Sequence, residues 1–321
     1  MRSLTIFTVV ACIAGCSNSK CEDGSKPNED GKCPSGFNSP NTVDTDTTEV
    51  TLPPPVQVAA GFYHSCALDA DGGVHCWGIS DGDQEYDHGQ VADAPDATHT
   101  WIAVSAGGLK SCAIKDDGEP TCWGFDSLGP PFGVSFDAIV NGTSYGCGLH
   151  EADGSVECWG SGQAGQLEVP EGVVFTQISG GWAFVCGVDD ANDAHCWGTN
   201  DEGQTDVPQG VKFSAVSGYN THACGLDLAG AAHCWGNNQW GQLDVPTGTF
   251  EQIAVGGFHA CALDGDGVAD CWGDCRDGQC ATPGPMATMS AGGLHNCGFL
   301  KEGGEIACWG STAYGATLTP W

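Results

Sequence analysis

Cysteine, histidine and carboxylate side chains are the groups in this sequence with chemistry to offer, and their spacing sorts them into roles. Seven times a cysteine is followed ten or eleven residues later by Cys-Trp-Gly. The pairs are Cys66 with Cys76, Cys112 with Cys122, Cys147 with Cys158, Cys186 with Cys196, Cys224 with Cys234, Cys261 with Cys271 and Cys297 with Cys308. Cys66 and Cys76 are equidistant from Asp71, and Cys112 and Cys122 from Asp117, each within an Asp- and Gly-rich turn. Residues equidistant from a hairpin turn face each other across the two strands, within disulfide reach. Zinc knuckles space their cysteines by two to four residues, so oxidation rather than metal binding is expected. Cys275 and Cys280 close a further loop around Arg276.

The other reactive types read as structural. His64, His222, His259 and His295 each precede the first cysteine of a unit by two residues, and His75, His195 and His233 directly precede the second. Repetition at equivalent positions marks a packing role, and Lys110, Tyr145 and Phe184 fill the first of these positions elsewhere. The Asp-rich turns (Asp69 with Asp71, Asp116 with Asp117, Asp264 with Asp266) lack the full spacing of a calcium loop and have the composition of tight hairpins. No Gly-x-Ser-x-Gly, His-Glu-x-x-His or phosphate-binding glycine loop is present. The expectation is a protein with no catalytic residue, no metal and no cofactor.

These groups must be held by short strands. Successive Trp residues of the Cys-Trp-Gly motif are 46, 36, 38, 38, 37 and 37 positions apart. Within a unit an aromatic (Trp101, Phe136, Phe175, Phe213, Phe250) opens a strand and a Val or Ile follows three residues later. A Gly-rich corner, a second strand, the hairpin turn and a third strand come next. A loop of the type Gly-Gln-Leu-x-Val-Pro (Gly165–Pro170, Gly241–Pro246) closes the unit. Four short strands in such a repeat make a propeller blade. The predicted fold is all-β: a seven-bladed β-propeller of four-stranded blades over residues 56–321, one cross-strand disulfide per blade. Tyr314–Trp321 is expected to complete a blade with residues near Val50–Val56. Asp81–Thr100 forms an insertion, which in repeat proteins falls on a loop, often on the binding face.

The N-terminus sets the expected compartment. Arg2 precedes an apolar run, Leu4–Ile13, too short to span a bilayer. It ends in Ile13-Ala14-Gly15-Cys16, which looks like a lipobox, with residues 1–15 as signal peptide and Cys16 as the lipidated residue. Ser17 after it resembles outer-membrane sorting. Removing Cys12 with the signal and lipidating Cys16 leaves 18 cysteines of the 20, an even set. The ninth pair is Cys21 with Cys33, within a polar tether spanning 16–55. The expected location is the cell envelope, with membrane contact through the lipid alone and a monomeric body. Lys+Arg number 9 against 41 Asp+Glu, a formal net charge of −32, which excludes nucleic acid as a partner.

The units resemble the repeat of the regulator of chromosome condensation family. The sixth reads Gly257-Phe258-His259-Ala260-Cys261-Ala262-Leu263, then Asp266-Gly267, then Cys271-Trp272-Gly273. The resemblance runs from Val56 to the C-terminus and implies a seven-bladed propeller. Eukaryotic members bind histones and catalyse guanine-nucleotide exchange, which an acidic, disulfide-rich, exported chain does not suit. A secreted bacterial propeller of this superfamily that covers β-lactamase with one face is the closer analogue.

Binding is therefore sought in what varies between units. The corner before each second strand changes: Phe62-Tyr63, Leu109, Trp182, Tyr219-Asn220, Phe258, Leu294. Tyr63, Trp182, Tyr219 and Phe258, with Trp240 in a closing loop, are the candidate ligand-binding residues for a protein or glycan on one loop-bearing face. The alternatives are a structural or assembly component of the envelope and an envelope hydrolase or lyase.

Overall fold

The computed structural model describes residues 52–321 apart from 81, 83, 84, 97, 126–128 and 151. The chain divides after Val50, and the described residues all belong to the unit Thr51–Trp321. The signal peptide, Cys16 and the pairing of Cys21 with Cys33 lie outside the described residues.

Seven antiparallel sheets follow one another along the chain, each of three strands here termed inner, middle and outer in chain order. Blade 1 is Pro55–Ala60, His64–Asp69 and Val74–Gly78; blade 2 is Trp101–Ala106, Lys110–Lys115 and Pro120–Gly124. Blade 3 is Ala138–Asn141, Tyr145–His150 and Ser155–Gly160; blade 4 is Phe175–Gly180, Phe184–Asp189 and Ala194–Gly198. Blade 5 is Phe213–Tyr219, His222–Asp227 and Ala232–Gly236; blade 6 is Gln252–Val255, His259–Leu263 and Ala269–Gly273. Blade 7 is Met286–Ala291, His295–Leu300 and Ile306–Gly310. The inner strands surround a central channel of about 490 Å³.

The blades have three strands, not the four expected. The Gly-Gln-Leu-x-Val-Pro segment forms turns, with left-handed glycines at Gly165 and Gly241 (φ 81° and 80°). Its buried Gln has other work. The backbone carbonyls of Gln90, Gln166, Gln204, Gln242 and Gln279 accept the indole N–H of Trp123, Trp197, Trp235, Trp272 and Trp309 in the following blade, at 2.8–3.1 Å. Each of these five closing loops is thus a staple between blades, and a strand's ladder would use up that carbonyl; the Trp159 indole of blade 3 has no such partner.

The aromatic and the branched residue three positions later both face the core, although period-two alternation would place them on opposite sides. A bulge resolves this. In blade 4 the register shifts between Phe175 and Gln177, and in blade 5 between Phe213 and Ala215. Phe175 and Ile178, like Phe213 and Val216, are then buried on the same side. Cores sit between neighbouring blades: Cys186 and Val188 of blade 4 pack with Phe213, Val216 and Trp235 of blade 5.

Gly follows every Trp of the motif for a steric reason. All seven have positive φ, from 93° to 124°, and an added Cβ would lie 2.5–2.7 Å from the carbonyl oxygen of a corner residue.

The disulfides number eight among the described residues. Seven join middle to outer strand at directly opposed positions, with Cα–Cα distances of 4.0–4.1 Å. They are the pairs the repeat spacing predicts. Cys66 bonds Cys76, Cys112 bonds Cys122, Cys186 bonds Cys196, Cys224 bonds Cys234 and Cys261 bonds Cys271, each ten residues apart. Cys147 bonds Cys158 and Cys297 bonds Cys308 across eleven residues, because the hairpin turns of blades 3 and 7 are one residue longer. The extra residue stays in the turn, so Cys158 and Cys308 still face their partners directly. The eighth disulfide joins Cys275 to Cys280 in the closing loop of blade 6, so that unit holds two rather than the expected one per blade.

The ring closes without a composite blade. Tyr314–Trp321 adds no strand; instead Ala316 O accepts the Trp77 indole N–H at 2.9 Å, and Trp321 donates its own to Pro53 O at 2.9 Å. Ala316 takes the place that Gln occupies in five other closing loops.

Candidate functional site

Antiparallel order brings the corners between inner and middle strands to one end of the ring and the hairpin turns to the other. At the turn end the carboxylates serve the backbone. Asp69 Oδ1 accepts the N–H of Asp71 and Gly73 at 2.9 and 2.7 Å, and His75 donates to its Oδ2 at 2.7 Å. Asp189 with His195 and Asp227 with His233 repeat the arrangement at 2.8 and 3.0 Å. Burial pushes the Asp69 carboxyl up, but the hydrogen bonds from His75, Gly73 and Asp71 outweigh it and leave the group below its ordinary value. These turns are fully employed in shaping hairpins, and no cluster of His, Cys, Asp or Glu among the described residues is placed to hold a metal ion.

The histidines that begin the middle strands are wholly buried at blade interfaces. His64 Nε2 hydrogen-bonds Ser111 Oγ at 2.6 Å, His259 Nε2 bonds Asn296 Oδ1 at 2.8 Å, and His295 Nε2 bonds Ser65 Oγ at 2.7 Å across the closure of the ring. Burial holds the imidazoles of His64 and His295 neutral, lowering their pKa values to about 4 and about 3. The next blade's partner position is thus Ser or Asn where His needs one. For His222 that position is Ala260, and its ring nitrogens lie near the His259 backbone without a hydrogen bond of good geometry.

The corner end differs from blade to blade. Phe62 and Tyr63 of blade 1 touch at 4.6 Å between ring centroids, and Phe62 meets Trp182 of blade 4 and Tyr219 of blade 5 at 6.3 and 6.4 Å. Tyr63 also contacts Tyr86 of the blade 1 insertion and Tyr314 of the blade 7 closing loop, at 4.8 and 4.9 Å. Aromatic rings from four blades therefore gather over the channel mouth. Trp182 is 48 % and Tyr314 41 % exposed. Tyr219 plays an inward part: its hydroxyl donates to Gly107 O of blade 2 at 3.4 Å, and burial raises its pKa.

Of the candidate residues, Tyr63, Trp182 and Tyr219 come together. Phe258 is half-buried in its own corner and joins none of these rings; its carbonyl accepts the Asp274 N–H at 2.9 Å. Trp240 sits in a separate pair, with the Arg276 guanidinium 4.1 Å above its ring. Arg276 in turn grips Asp274 through two hydrogen bonds of 2.7 and 2.8 Å. Phe62, Tyr86 and Tyr314 belong to the cluster although the sequence did not single them out as ligand-binding. The insertion around Tyr86 was the signal available for one of them.

Three of the seven units match the regulator of chromosome condensation (RCC1) repeat. The matched residues are 56–84, 175–204 and 250–279. Among solved structures, the chain is similar to the entire ectodomain of the Physcomitrella patens receptor kinase CR4, at 25 % identity and TM-score 0.68, covering 81 % of this chain and 74 % of that one. The CRINKLY WD40 ectodomain of the Arabidopsis thaliana receptor kinase ACR4 gives 22 % identity and TM-score 0.64 over 81 % and 96 %. Saccharomyces cerevisiae Prp20p gives 19 % and 0.60 over 74 % and 80 %. No curated protein matches the chain in sequence.

Proposed function

We propose that this chain is a cell-envelope lipoprotein, held by a lipid on Cys16, whose propeller captures a protein partner through its corner face. The observation that carries the reading is the convergence of Phe62, Tyr63, Tyr86, Trp182 and Tyr314 over the channel mouth, some of them substantially exposed. Exposed aromatics held rigidly by surrounding structure are what interface hot spots are made of. Prp20p is described with its binding to Gsp1p and histones, and the two plant neighbours are receptor ectodomains. Those roles belong to those proteins; for this chain they support a binding module rather than an enzyme.

Two measurements test the reading. Capture of a saturable partner from envelope extracts by the oxidised chain should fall at least about tenfold on Trp182→Ala or Tyr63→Ala, a hot-spot loss; unchanged capture removes the corner face as the site. Palmitate labelling in the producing cell should vanish on Cys16→Ser, and labelling that persists would defeat the anchor.

A further inference from the structure

The aromatic group is not a flat patch. It encloses a basin of about 100 Å³ whose walls include Phe62, Tyr63, Tyr86, Trp182 and Leu109, with the carboxylate of Glu85 at the edge. Four aromatic rings and one carboxylate around so small a space make an uncommon lining. An apolar cavity that takes benzene is about 150 Å³, so this basin is too small for a further aromatic side chain or a sugar ring. An ammonium group with its adjoining methylenes fits. Ring faces carry negative quadrupole potential, and cages of such faces recognise cations. Glu85 adds full negative charge, and it is fixed in place by the Tyr86 hydroxyl, which donates to its Oε1 at 2.6 Å.

The chain's own cations in the described residues are engaged elsewhere. Lys115 pairs with Glu119 and Lys212 with Asp193, while Arg276 pairs with Asp274. Lys301 donates to Gly265 O, and Lys110 is buried at a blade interface with interactions of its own. A body of net charge −32 also draws basic segments towards it from a distance.

We propose that this basin is a cage for a lysine side chain, and hence that the partner of the corner face presents a basic segment. The proposal rests on the protein-binding reading above and deepens it. Tetralysine and its fully Nε-acetylated form are the probes, titrated calorimetrically into the oxidised full chain at physiological salt. Tetralysine should bind and the acetylated peptide should not. Tyr86→Ala should weaken tetralysine roughly fivefold, the scale of one cation–π contact, and Glu85→Gln by a similar factor. Tyr86→Phe, which keeps the ring, should retain most of the binding, and Trp240→Ala should change nothing. Equal binding by wild type, Glu85→Gln and Tyr86→Ala would mean diffuse attraction to an acidic body and overturn the cage, as would no binding of tetralysine. If partner capture is still lost on Trp182→Ala while tetralysine fails, the face stands and only the cage falls.

Discussion

The two ends of the ring use their polar and aromatic residues in opposite ways. At the turn end, Asp69 with His75, Asp189 with His195 and Asp227 with His233 are the same device three times over, each closing the hairpin that carries it. At the corner end the side chains change between most blades, Leu109 and Leu294 being alike, and the aromatic ones meet one another across the channel mouth. A residue that recurs in every unit is answering a need every unit has. One that appears once, and touches a unit far away in sequence, answers a need of the whole ring. By that criterion the four tryptophans outside the motif separate cleanly. Trp101 opens a strand and Trp321 helps to close the ring, whereas Trp182 and Trp240 reach solvent.

The contrast is broken most sharply by replacing one tryptophan of each kind. Trp197→Ala empties a buried site and leaves the Gln166 carbonyl unpaired, so stability should drop by roughly 3–5 kcal/mol in denaturant titration. Removing a repeated disulfide by Cys186→Ala with Cys196→Ala should cost about 3 kcal/mol on the chain-entropy view, read as a lower unfolding midpoint.

Acid should act through the blade interfaces. The imidazole of His64 has a pKa of about 4, and those of His222 and His295 about 3, against 6.5 when unfolded. Between these values the unfolded chain binds protons that the folded one refuses, so stability rises with pH there. As pH falls from 6.5 towards 4, each should remove roughly 1.4 kcal/mol per pH unit. His222→Phe sharpens the point: Phe184 already occupies the equivalent site beside Ala223. The substitution should alter neutral-pH stability by less than about 1 kcal/mol, since it swaps one buried ring for another of similar size. It should also flatten the acid limb measured by thermal melts. Trp182→Ala should change stability least, within about 0.5 kcal/mol, while abolishing capture. A large loss of stability there would make Trp182 another core residue and erase the distinction between the two ends.

Much of this organisation was readable from sequence because it is local. Opposed cysteines about a turn give the middle-to-outer register directly, and Cys-Trp-Gly marks where the outer strand meets the corner. Cys234 faces Cys224 for no reason beyond their separation of ten positions about the turn. The repeat length leaves room for a fourth strand per unit, but the closing Gly-Gln-Leu-x-Val-Pro loop takes that stretch of chain as turns. What decides its shape is a non-local bond, from a Gln carbonyl to the next blade's indole, that no pattern within one unit reveals. The candidate site was legible by half for the same reason. Variation picked out Tyr63, Trp182 and Tyr219, but which rings meet depends on how the circle closes. Phe258 and Trp240 vary as strongly and stand apart, while Tyr86 sits in an insertion that has no counterpart in other units to be compared with.

Every disulfide among the described residues joins a cysteine to the very next one along the chain, from Cys66 with Cys76 through Cys275 with Cys280 to Cys297 with Cys308. None crosses between blades. A polypeptide threaded N-terminus first into an oxidising space therefore meets the correct partner for each thiol before any wrong one downstream has emerged. The order of appearance is itself the pairing code. Oxidation should need an electron acceptor but no reshuffling catalyst, and growth of a strain lacking disulfide isomerase should leave the yield of native protein unchanged. The covalent bonds are finished blade by blade, and the circle is left to be drawn shut by packing and hydrogen bonds alone, those of two indoles and of His295 with Ser65 among them.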